Sequence, residues 1–262
     1  MDKLTIKESD FVKSLEKGLL VIRAFSQEHP TLTISEAAKI TNLTRPAARR
    51  ILLTLTVLGY LKQDATGTFS PTPKILSLGY AYLASNDIWS SLTPSLETLS
   101  NQVQESTSIS VLEGDEIIYV ARFSVKKIMS ISLSVGSRLP AYATSMGQVL
   151  LAYLQEEEFE DYMQRVTFEK FTEQTIDNRE DLIAKCAMIR EQGYNIVREE
   201  LENGLTSIAV PLFNRQNKVV AALNISLNSA KFAAAVDLHG SYILPLFNAA
   251  KRISEQLKNQ II

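Results

Sequence analysis

The sequence predicts an α+β fold: an N-terminal winged helix-turn-helix, a linker helix, and a sensor-like C-terminal α/β domain with an antiparallel sheet. Helical periodicity dominates the first 60 residues and ends in a short hairpin pattern. From Ser108 onward, strand and helix patterns follow in runs, without a regular βαβ alternation. Charge also differs along the chain. Residues 1–80 carry 11 Lys+Arg and 7 Asp+Glu and are therefore net basic, whereas the whole chain has a net charge of -2. A basic module joined to an acidic one indicates two domains with different partners.

Length and composition limit the class of protein. At 262 residues and 45% hydrophobic composition, the chain can bury one large core or two smaller ones. Its single cysteine, Cys186, excludes an internal disulfide framework and gives no sign of a metal site. No stretch approaches the ~18 consecutive apolar residues of a membrane span, and MDKLTIKESDFVKS lacks the apolar core of a secretory signal. We expect a cytoplasmic protein with no membrane contact, no metal and no cofactor.

Residues 10–72 are predicted to form the winged helix-turn-helix. The segment DFVKSLEKGLLVIRAFSQE has apolar residues at helical spacing, and Thr33 with Glu36 forms a capping box that begins a second, short helix. Thr44 caps a third helix, which has Pro46 in its first turn and ends at Gly59. The segment YLKQDATGTFSP then alternates around an Ala-Thr-Gly turn, which is typical of a β-hairpin.

Residues 73–88 are predicted to be the linker helix, and residues 89–262 the C-terminal domain. The linker carries an apolar stripe of Leu76, Tyr80, Leu83 and Ala84, and its burial by a partner subunit or by the same chain is about equally favoured. In the C-terminal domain, SISVLEGDEIIYVARF, KKIMSISLSVGSRLP and the 194–228 region have strand patterns. Helices are expected in ATSMGQVLLAYL, in most of 156–193 and in SYILPLFNAAKRISEQLKNQI.

Helix 44–58 combines an apolar face with a basic one. Arg45 and Arg49 lie one turn apart with Arg50 beside them, and no acidic residue occurs between Glu36 and Asp64. Such a face fits the major groove, where arginine binds guanine edges or phosphates; a solvated basic helix face is the alternative. We favour contact with double-stranded DNA through Thr33, Thr44, Arg45, Pro46, Ala47, Arg49, Arg50 and, from the hairpin, Lys62.

The sequence gives little support to an enzyme. His29 and His239 have no second metal-type ligand at helical spacing, and no GxSxG, HExxH, Walker A or GxGxxG motif is present. Cys186 lies inside an expected helix, where burial explains it more simply than nucleophilic catalysis. A dimerising scaffold would leave the arginines without a role. We therefore predict a binding protein and not an enzyme.

Three segments resemble the IclR family of bacterial transcriptional regulators: LEKGLLVIRAF, TISEAAKITNLTRPAARRILLTLTVLGYL and VGSRLPAYATSMGQVLLAYL. The Thr44–Leu61 and RLPAYATSMGQVLLA stretches are most similar to its aromatic-acid-responsive subgroup, whose members respond to protocatechuate, 4-hydroxybenzoate or related β-ketoadipate pathway acids. The resemblance implies a dimerising linker helix, homodimers or dimers of dimers on operator DNA, and control of an aromatic catabolic operon. A regulator that responds to a small aliphatic acid, such as glyoxylate or pyruvate, is the alternative.

A small acid effector requires a site for its carboxylate. Ser145 is expected to cap a helix whose first N–H groups belong to Met146, Gly147 and Gln148, and such a terminus suits an anion, although ordinary capping explains it equally well. The resemblance implies that the effector lies against this turn, with further contacts from Ser207, Asn224 and Ser226. Met129, Ile131, Leu139 and Tyr142 are candidate apolar walls, although each is explained as well or better by plain core packing.

Arg122 could bind the effector carboxylate in a forked geometry, since it follows the apolar strand pattern IIYVA. A surface salt bridge with the acidic 155–161 segment is the alternative for this arginine, and the sequence does not separate the two.

Overall fold

The computed structural model describes residues 7–26, 28–85, 88–125 and 133–258. The chain divides into two units, residues 1–85 and residues 86–262. The first contains helices and a two-stranded sheet, and the second contains a six-stranded antiparallel sheet with helices. The predicted α+β fold class is confirmed.

Helix caps determine where the helices of the first unit begin. Thr33 and Glu36 form the predicted capping box, in which the Glu36 carboxylate accepts from the Thr33 N–H at 2.7 Å. Thr44 accepts from the Ala47 N–H and begins the third helix, and Asn42 adopts the left-handed conformation in the turn before it. The elements are α1 (Lys13–Arg23), α2 (Ile34–Ile40), α3 (Arg45–Val57), β1 (Leu61–Gln63), β2 (Phe69–Pro71), a 3₁₀ turn (Pro73–Ile75) and α4 (Leu76–Ser85).

The core of the first unit holds the three helices and the hairpin together. Leu52 of α3 and Phe69 of β2 are fully buried in it, and Leu32 pairs with Phe69 through two backbone hydrogen bonds. Only the C-terminal half of α1 contributes, through Val21. Leu15 and Leu19, which belong to the predicted apolar face of α1, remain 63% and 49% exposed, on a side of the helix that this core does not cover.

The second unit is built on one sheet with the strand order β5-β4-β3-β8-β7-β6, in which every neighbouring pair is antiparallel. The strands are β3 (Ser106–Glu113), β4 (Glu116–Phe123), β5 (Arg138–Pro140), β6 (Asn195–Arg198), β7 (Leu205–Phe213) and β8 (Val219–Asn228). The helices are α5 (Ile88–Ser91), α6 (Thr93–Val103), α7 (Ser145–Ala152), α8 (Glu156–Arg165), α9 (Arg179–Gln192), α10 (Ser229–Ala233) and α11 (Leu244–Lys258), which follows a π-helical turn (His239–Ile243).

The two faces of this sheet carry side chains of different size. On β8, the bulky residues Leu223 and Ile225 pack on one face with α6 and α11. The intervening Ala222 and Asn224 point to the other face, which α7 covers. Because side chains alternate along a strand, small and polar residues collect on the α7 side and leave room for a cavity there.

A β-bulge in β4 adds to this second face. Ile109 pairs with Ala121 but the next residue, Ser110, pairs with Tyr119, so Val120 is an extra residue in the ladder. Without a bulge, Tyr119 and Arg122 would point to opposite faces, since they are three residues apart. With it, both side chains line the same cavity.

Candidate DNA-binding surface and ligand cavity

The exposed face of α3 carries the predicted arginines. Arg45, Arg49 and Arg50 are exposed, while Ala48 and Leu52 on the opposite side are fully buried. Across the described residues, none of the three guanidinium groups forms an ion pair. An arginine held by no carboxylate keeps its donors available to a phosphate or a base edge.

The other predicted DNA-binding residues differ in what they offer. The hydroxyl oxygens of Thr33 and Thr44 already accept hydrogen bonds as the N-caps of α2 and α3, so these two residues mainly determine where the helices begin. Pro46 is exposed and Ala47 is half-buried, which leaves the start of α3 free of bulky side chains. Lys62 is exposed on β1, opposite Ser70 of β2.

The hairpin turn after Lys62 is organised by one carboxylate. Asp64 Oδ1 accepts from the Thr66 N–H, the Thr66 hydroxyl and the Thr68 N–H, at 2.9, 2.7 and 2.9 Å. These hydrogen bonds, of which the Thr66 side chain supplies the largest effect, lower the pKa of Asp64 from 3.8. Because the folded pKa is the lower one, the turn keeps this support above about pH 3.8 and loses it as the pH falls through the folded pKa.

A cavity opens in the second unit between the small-residue face of the sheet and the start of α7. The non-atom space inside it, including the solvent at its open mouth, is about 580 Å³. The walls contain both apolar and polar groups. They are Tyr119, Arg122, Leu133, Leu139, Ala143, Thr144, Ser145, Met146, Val197, Leu201, Glu202, Leu205, Ser207, Asn224 and Ser226.

The N-terminus of α7 forms one wall, but its cap is not the predicted residue. Thr144 is the N-cap and accepts from the Gly147 N–H at 3.1 Å, whereas Ser145 is the first residue of the helix. The Ser145 hydroxyl accepts from the Ser207 hydroxyl at 2.8 Å. The N–H groups of Ser145 and Met146 precede the first intrahelical bond, so they are the backbone donors that a ligand anion can use.

Gly147 was predicted to bind the effector, but it does not line the cavity. Its N–H is taken by Thr144, and a Cβ at this position would lie 2.1 Å from the carbonyl oxygen of Ala141. The glycine therefore lets α7 pack against the turn before it, and its contribution to the cavity is indirect.

Arg122 supplies the cation of the cavity. Its Nη1 donates to the Ser108 hydroxyl and its Nε to the Ser124 hydroxyl, both at 2.9 Å, and its guanidinium lies 5.9 Å from the centre of the Tyr119 ring. Burial lowers its pKa, but an arginine stays charged at neutral pH. The alternative salt bridge with the 155–161 segment is not found among the described residues. Arg122 donates to the two serines, while Glu160 pairs with Arg179 and Asp161 with Arg165.

Asn224 and Ser226, the predicted effector contacts on β8, line the cavity. Asn224 is 3% exposed, and its Nδ2 donates to the Ser226 hydroxyl at 3.1 Å. Its Oδ1 is buried and has no hydrogen-bond partner among the described residues. A buried amide oxygen without a partner is costly, so this position favours a ligand that brings a polar group to it.

The predicted apolar walls are only partly found. Leu139 lines the cavity. Tyr142 does not: its ring packs against Phe168 and Phe171, and its hydroxyl donates to the Glu169 carbonyl and accepts from the Glu169 N–H. Met129 and Ile131, together with the first part of the predicted third strand, lie outside the described residues.

Several wall residues were not singled out from the sequence. Tyr119 lines the cavity because of the bulge. Leu201 and Glu202 line it from the turn before β7, and Leu205 from the first position of that strand. When ionised, Glu202 can only accept hydrogen bonds, so it suits a hydroxyl donor on a ligand and not a carboxylate. The sequence signal that could have located the cavity face of the sheet is the alternation of small or polar residues with bulky ones in SISV, TSIAV and AALNISL.

The described part of the chain contains no group of three His, Cys, Asp or Glu side chains able to hold a metal ion. Cys186 is buried, and desolvation raises its pKa to about 12, so its thiol is not a nucleophile near neutral pH. No described helix has the length and apolar character needed to cross a membrane.

Comparison with known families assigns both parts of the chain. Residues 14–65 match the IclR helix-turn-helix domain, and residues 80–255 match the bacterial transcriptional regulator IclR C-terminal domain. The second match covers the cavity and the sheet that forms it.

Individual relatives match across most of the chain. The Pca regulon regulatory protein of Pseudomonas putida is 40% identical over 95% of this chain and 86% of its own. The p-hydroxybenzoate hydroxylase transcriptional activator of Acinetobacter baylyi is 34% identical over 84% of this chain and 82% of its own. A solved regulator structure from Rhodococcus sp. RHA1 is 43% identical, with a TM-score of 0.79 over 95% of this chain and 99% of that one.

Proposed function

Because this chain belongs to the IclR family of bacterial transcriptional regulators, we propose that it is a DNA-binding regulator controlled by a small aromatic acid such as protocatechuate or 4-hydroxybenzoate. It binds double-stranded operator DNA through α3 and the β1–β2 hairpin. It acts in the cytoplasm on an aromatic catabolic operon, without a catalytic role, metal or cofactor.

The observation that carries this proposal is the chemistry of the cavity, in which one wall suits an anion, another an apolar ring and a third a polar group. Arg122 and the N–H groups of Ser145 and Met146 suit a carboxylate. Leu133 and Leu139 supply apolar surface for a ring, and Asn224 suits a polar substituent on it. A hydroxylated benzoate carries all three groups on one rigid scaffold.

The relatives favour the same ligand class. One is named as a p-hydroxybenzoate hydroxylase transcriptional activator, and it shares a third of its residues with this chain over more than four fifths of the length. An aliphatic acid such as glyoxylate or pyruvate has no ring to cover the apolar walls, so it is the less favoured alternative.

A second copy of the chain is the proposed partner of the linker helix. Leu76 and Tyr80 of α4 are 72% and 69% exposed, and Leu15 and Leu19 of α1 are also exposed. Apolar side chains in such number on two helices indicate a surface that is covered in the working assembly. The side chains of Leu83 and Ala84 lie outside what the structure describes.

Sedimentation velocity tests this association. We expect wild-type protein to sediment as a dimer or a dimer of dimers at micromolar concentration and Tyr80→Glu to shift toward the monomer, because burying an unpaired charge is costly. Gln102→Glu, on the exposed side of α6, is the control and should leave the distribution unchanged. Equal distributions for Tyr80→Glu and wild type would remove α4 from the interface.

Thermal unfolding with a panel of acids tests the ligand class. The panel holds protocatechuate, 4-hydroxybenzoate, benzoate, cis,cis-muconate, pyruvate and glyoxylate. An effector at 100 times its Kd stabilises the binding state by about 2.7 kcal/mol, which is roughly 5–10 °C for a unit of this size. We expect the shift with hydroxylated benzoates. A shift confined to pyruvate or glyoxylate, or no shift with any acid, would contradict the proposal.

A further inference from the structure

We infer that a buried amide pair, Gln148 and Asn195, together with Glu200, positions Ser145 for effector binding. None of the three side chains lines the cavity. Instead, hydrogen bonds on the side of α7 away from the cavity connect them to Ser145 and to the turn before it. The ligand-binding readout of this inference rests on the proposed function.

The direction of every hydrogen bond in this cluster is determined by two backbone carbonyls. Gln148 Nε2 lies 2.7 Å from the Tyr142 carbonyl oxygen, which only accepts, so this atom must be the amide nitrogen. Its other proton reaches Glu200 Oε2 at 2.6 Å. At the other end, Asn195 Nδ2 donates to the Ser145 carbonyl at 3.2 Å and to Gln148 Oε1 at 2.8 Å.

The amide pair is closed to water, and the cluster ends at a charge pair on the rim of a surface pocket. Gln148 and Asn195 are fully buried and Glu200 is 6% exposed. The Glu200 carboxylate lies 3.7 Å from Lys185 Nζ, which also donates to the Ile196 carbonyl at 3.0 Å. Rotating either amide would break the hydrogen bonds that its nitrogen donates, so buried groups of this kind hold one arrangement.

Ser145 is consequently held from two sides. Its backbone carbonyl accepts from Asn195, and its hydroxyl accepts from Ser207 on the cavity side. Asn195 Oδ1 has no hydrogen-bond partner among the described residues, so the amide is oriented by its two donated bonds alone. Gln148 stabilises the same turn from one helical turn further on, by holding the Tyr142 carbonyl.

The test is an isosteric change that reverses hydrogen-bond polarity. In Asn195→Asp, a carboxyl oxygen replaces the nitrogen and faces two acceptors, the Ser145 carbonyl and Gln148 Oε1. When ionised it can donate to neither, and when protonated it can donate to only one of them. The matched control is Asn214→Asp, since Asn214 is also buried but its Oδ1 accepts from the Gln216 and Lys218 N–H groups, as a carboxylate can. Affinity for 4-hydroxybenzoate is measured by calorimetry at pH 7.5, well below the unfolding midpoint of each variant.

Asn195→Asp should weaken 4-hydroxybenzoate binding at least about tenfold while operator binding stays within about twofold of wild type, because hydrogen bonds to Ser145 are lost and the DNA-binding unit is untouched. Asn214→Asp should bind the acid like wild type. A purely structural role would lower the unfolding midpoint of Asn195→Asp but leave the Kd of the folded protein within twofold, and that result would overturn the inference. If Asn195→Asp does not fold, Asn195→Ala is judged by the same criteria.

A second readout does not depend on the ligand. Hydrogen exchange of the 141–150 segment, without any acid, should be at least about tenfold faster in Asn195→Asp than in Asn214→Asp. Unchanged exchange would overturn the positioning role even if 4-hydroxybenzoate binds. Faster exchange in a protein that binds none of the acids would support the positioning role and reject only the proposed ligand class.

Discussion

Arg49 lies at the middle of the basic face of α3, one turn after Arg45 and beside Arg50. If Arg49 contacts a base edge, Arg49→Ala should weaken operator binding by ~1–3 kcal/mol, because a forked contact is lost and its acceptors stay unpaired. The measurement is a gel-shift titration on an operator selected from random DNA with the wild-type protein.

Arg215→Ala is the matched control for this prediction. Arg215 is also an exposed arginine, but it lies in the β7–β8 turn of the other unit. The control removes the same charge and should leave operator affinity unchanged. Equal affinity of Arg49→Ala and Arg215→Ala would remove Arg49 from the DNA-binding face.

Asn224 should contribute to the choice among aromatic acids. In Asn224→Leu, which has a similar size and no polar atoms, we expect the preference for 4-hydroxybenzoate over benzoate to fall about tenfold, because the amide no longer pairs with the ring hydroxyl. A phenol can donate or accept, so the prediction holds for either orientation of the amide. Calorimetry with both acids measures the ratio, and an unchanged ratio would place the hydroxyl elsewhere in the cavity.

The exposed arginine face of α3 was easier to predict than the lining of the cavity. Three arginines on one helix are visible as a pattern within six residues. Arg122 and Tyr119 share a wall only because of the bulge at Val120, and a bulge has no reliable sequence signal. Ser145 was predicted as the cap because Thr and Ser both cap well, and the structure uses Thr144.

At the scale of single elements, the packing of α7 on its preceding turn depends on Gly147. Gly147→Ala should destabilise the second unit by about 1–3 kcal/mol, because the new methyl group meets the Ala141 backbone and must displace it. The same displacement moves Ser145, so affinity for the acid should fall as well. Chemical denaturation and calorimetry measure the two effects.

Gly18→Ala provides the contrast. Gly18 is also inside a helix, and a Cβ there would meet nothing within 4 Å. This variant should be more stable by about 0.5–1 kcal/mol, since alanine loses less entropy in a helix. A Gly147→Ala variant that is equally stabilised would show that the close approach to Ala141 relaxes without cost.

Helix starts and turns that depend on neighbouring residues in the sequence could be predicted, whereas contacts with residues far away in the sequence or in another molecule could not. The α2 capping box, the Pro46 start of α3 and the Glu113–Glu116 turn of the β3–β4 hairpin each lie within a few residues of their cause. The apolar residues of α1 were predicted from their helical spacing, but Leu15 and Leu19 are exposed in the single chain. Helical periodicity identifies an apolar face, but it does not identify the partner surface that covers this face when that surface belongs to another molecule.

At the scale of the whole molecule, regulation requires that the acid bind differently to two states of the protein. A ligand with equal affinity for both states shifts nothing, however tightly it binds. The sequence predicted both units and their fold class because each has its own pattern and its own core. The coupling between effector and operator is a free energy between two sites, so it has to be measured.

The most direct measurement is the Kd of the selected operator, by fluorescence anisotropy, with and without saturating acid. We predict that 4-hydroxybenzoate or protocatechuate changes the operator Kd by at least about fivefold, the lower end of typical allosteric coupling, and that pyruvate and glyoxylate do not. The Asn195→Asp protein should bind the operator but respond only at a much higher concentration of acid. An operator Kd that no aromatic acid alters would contradict the account of an effector-controlled regulator.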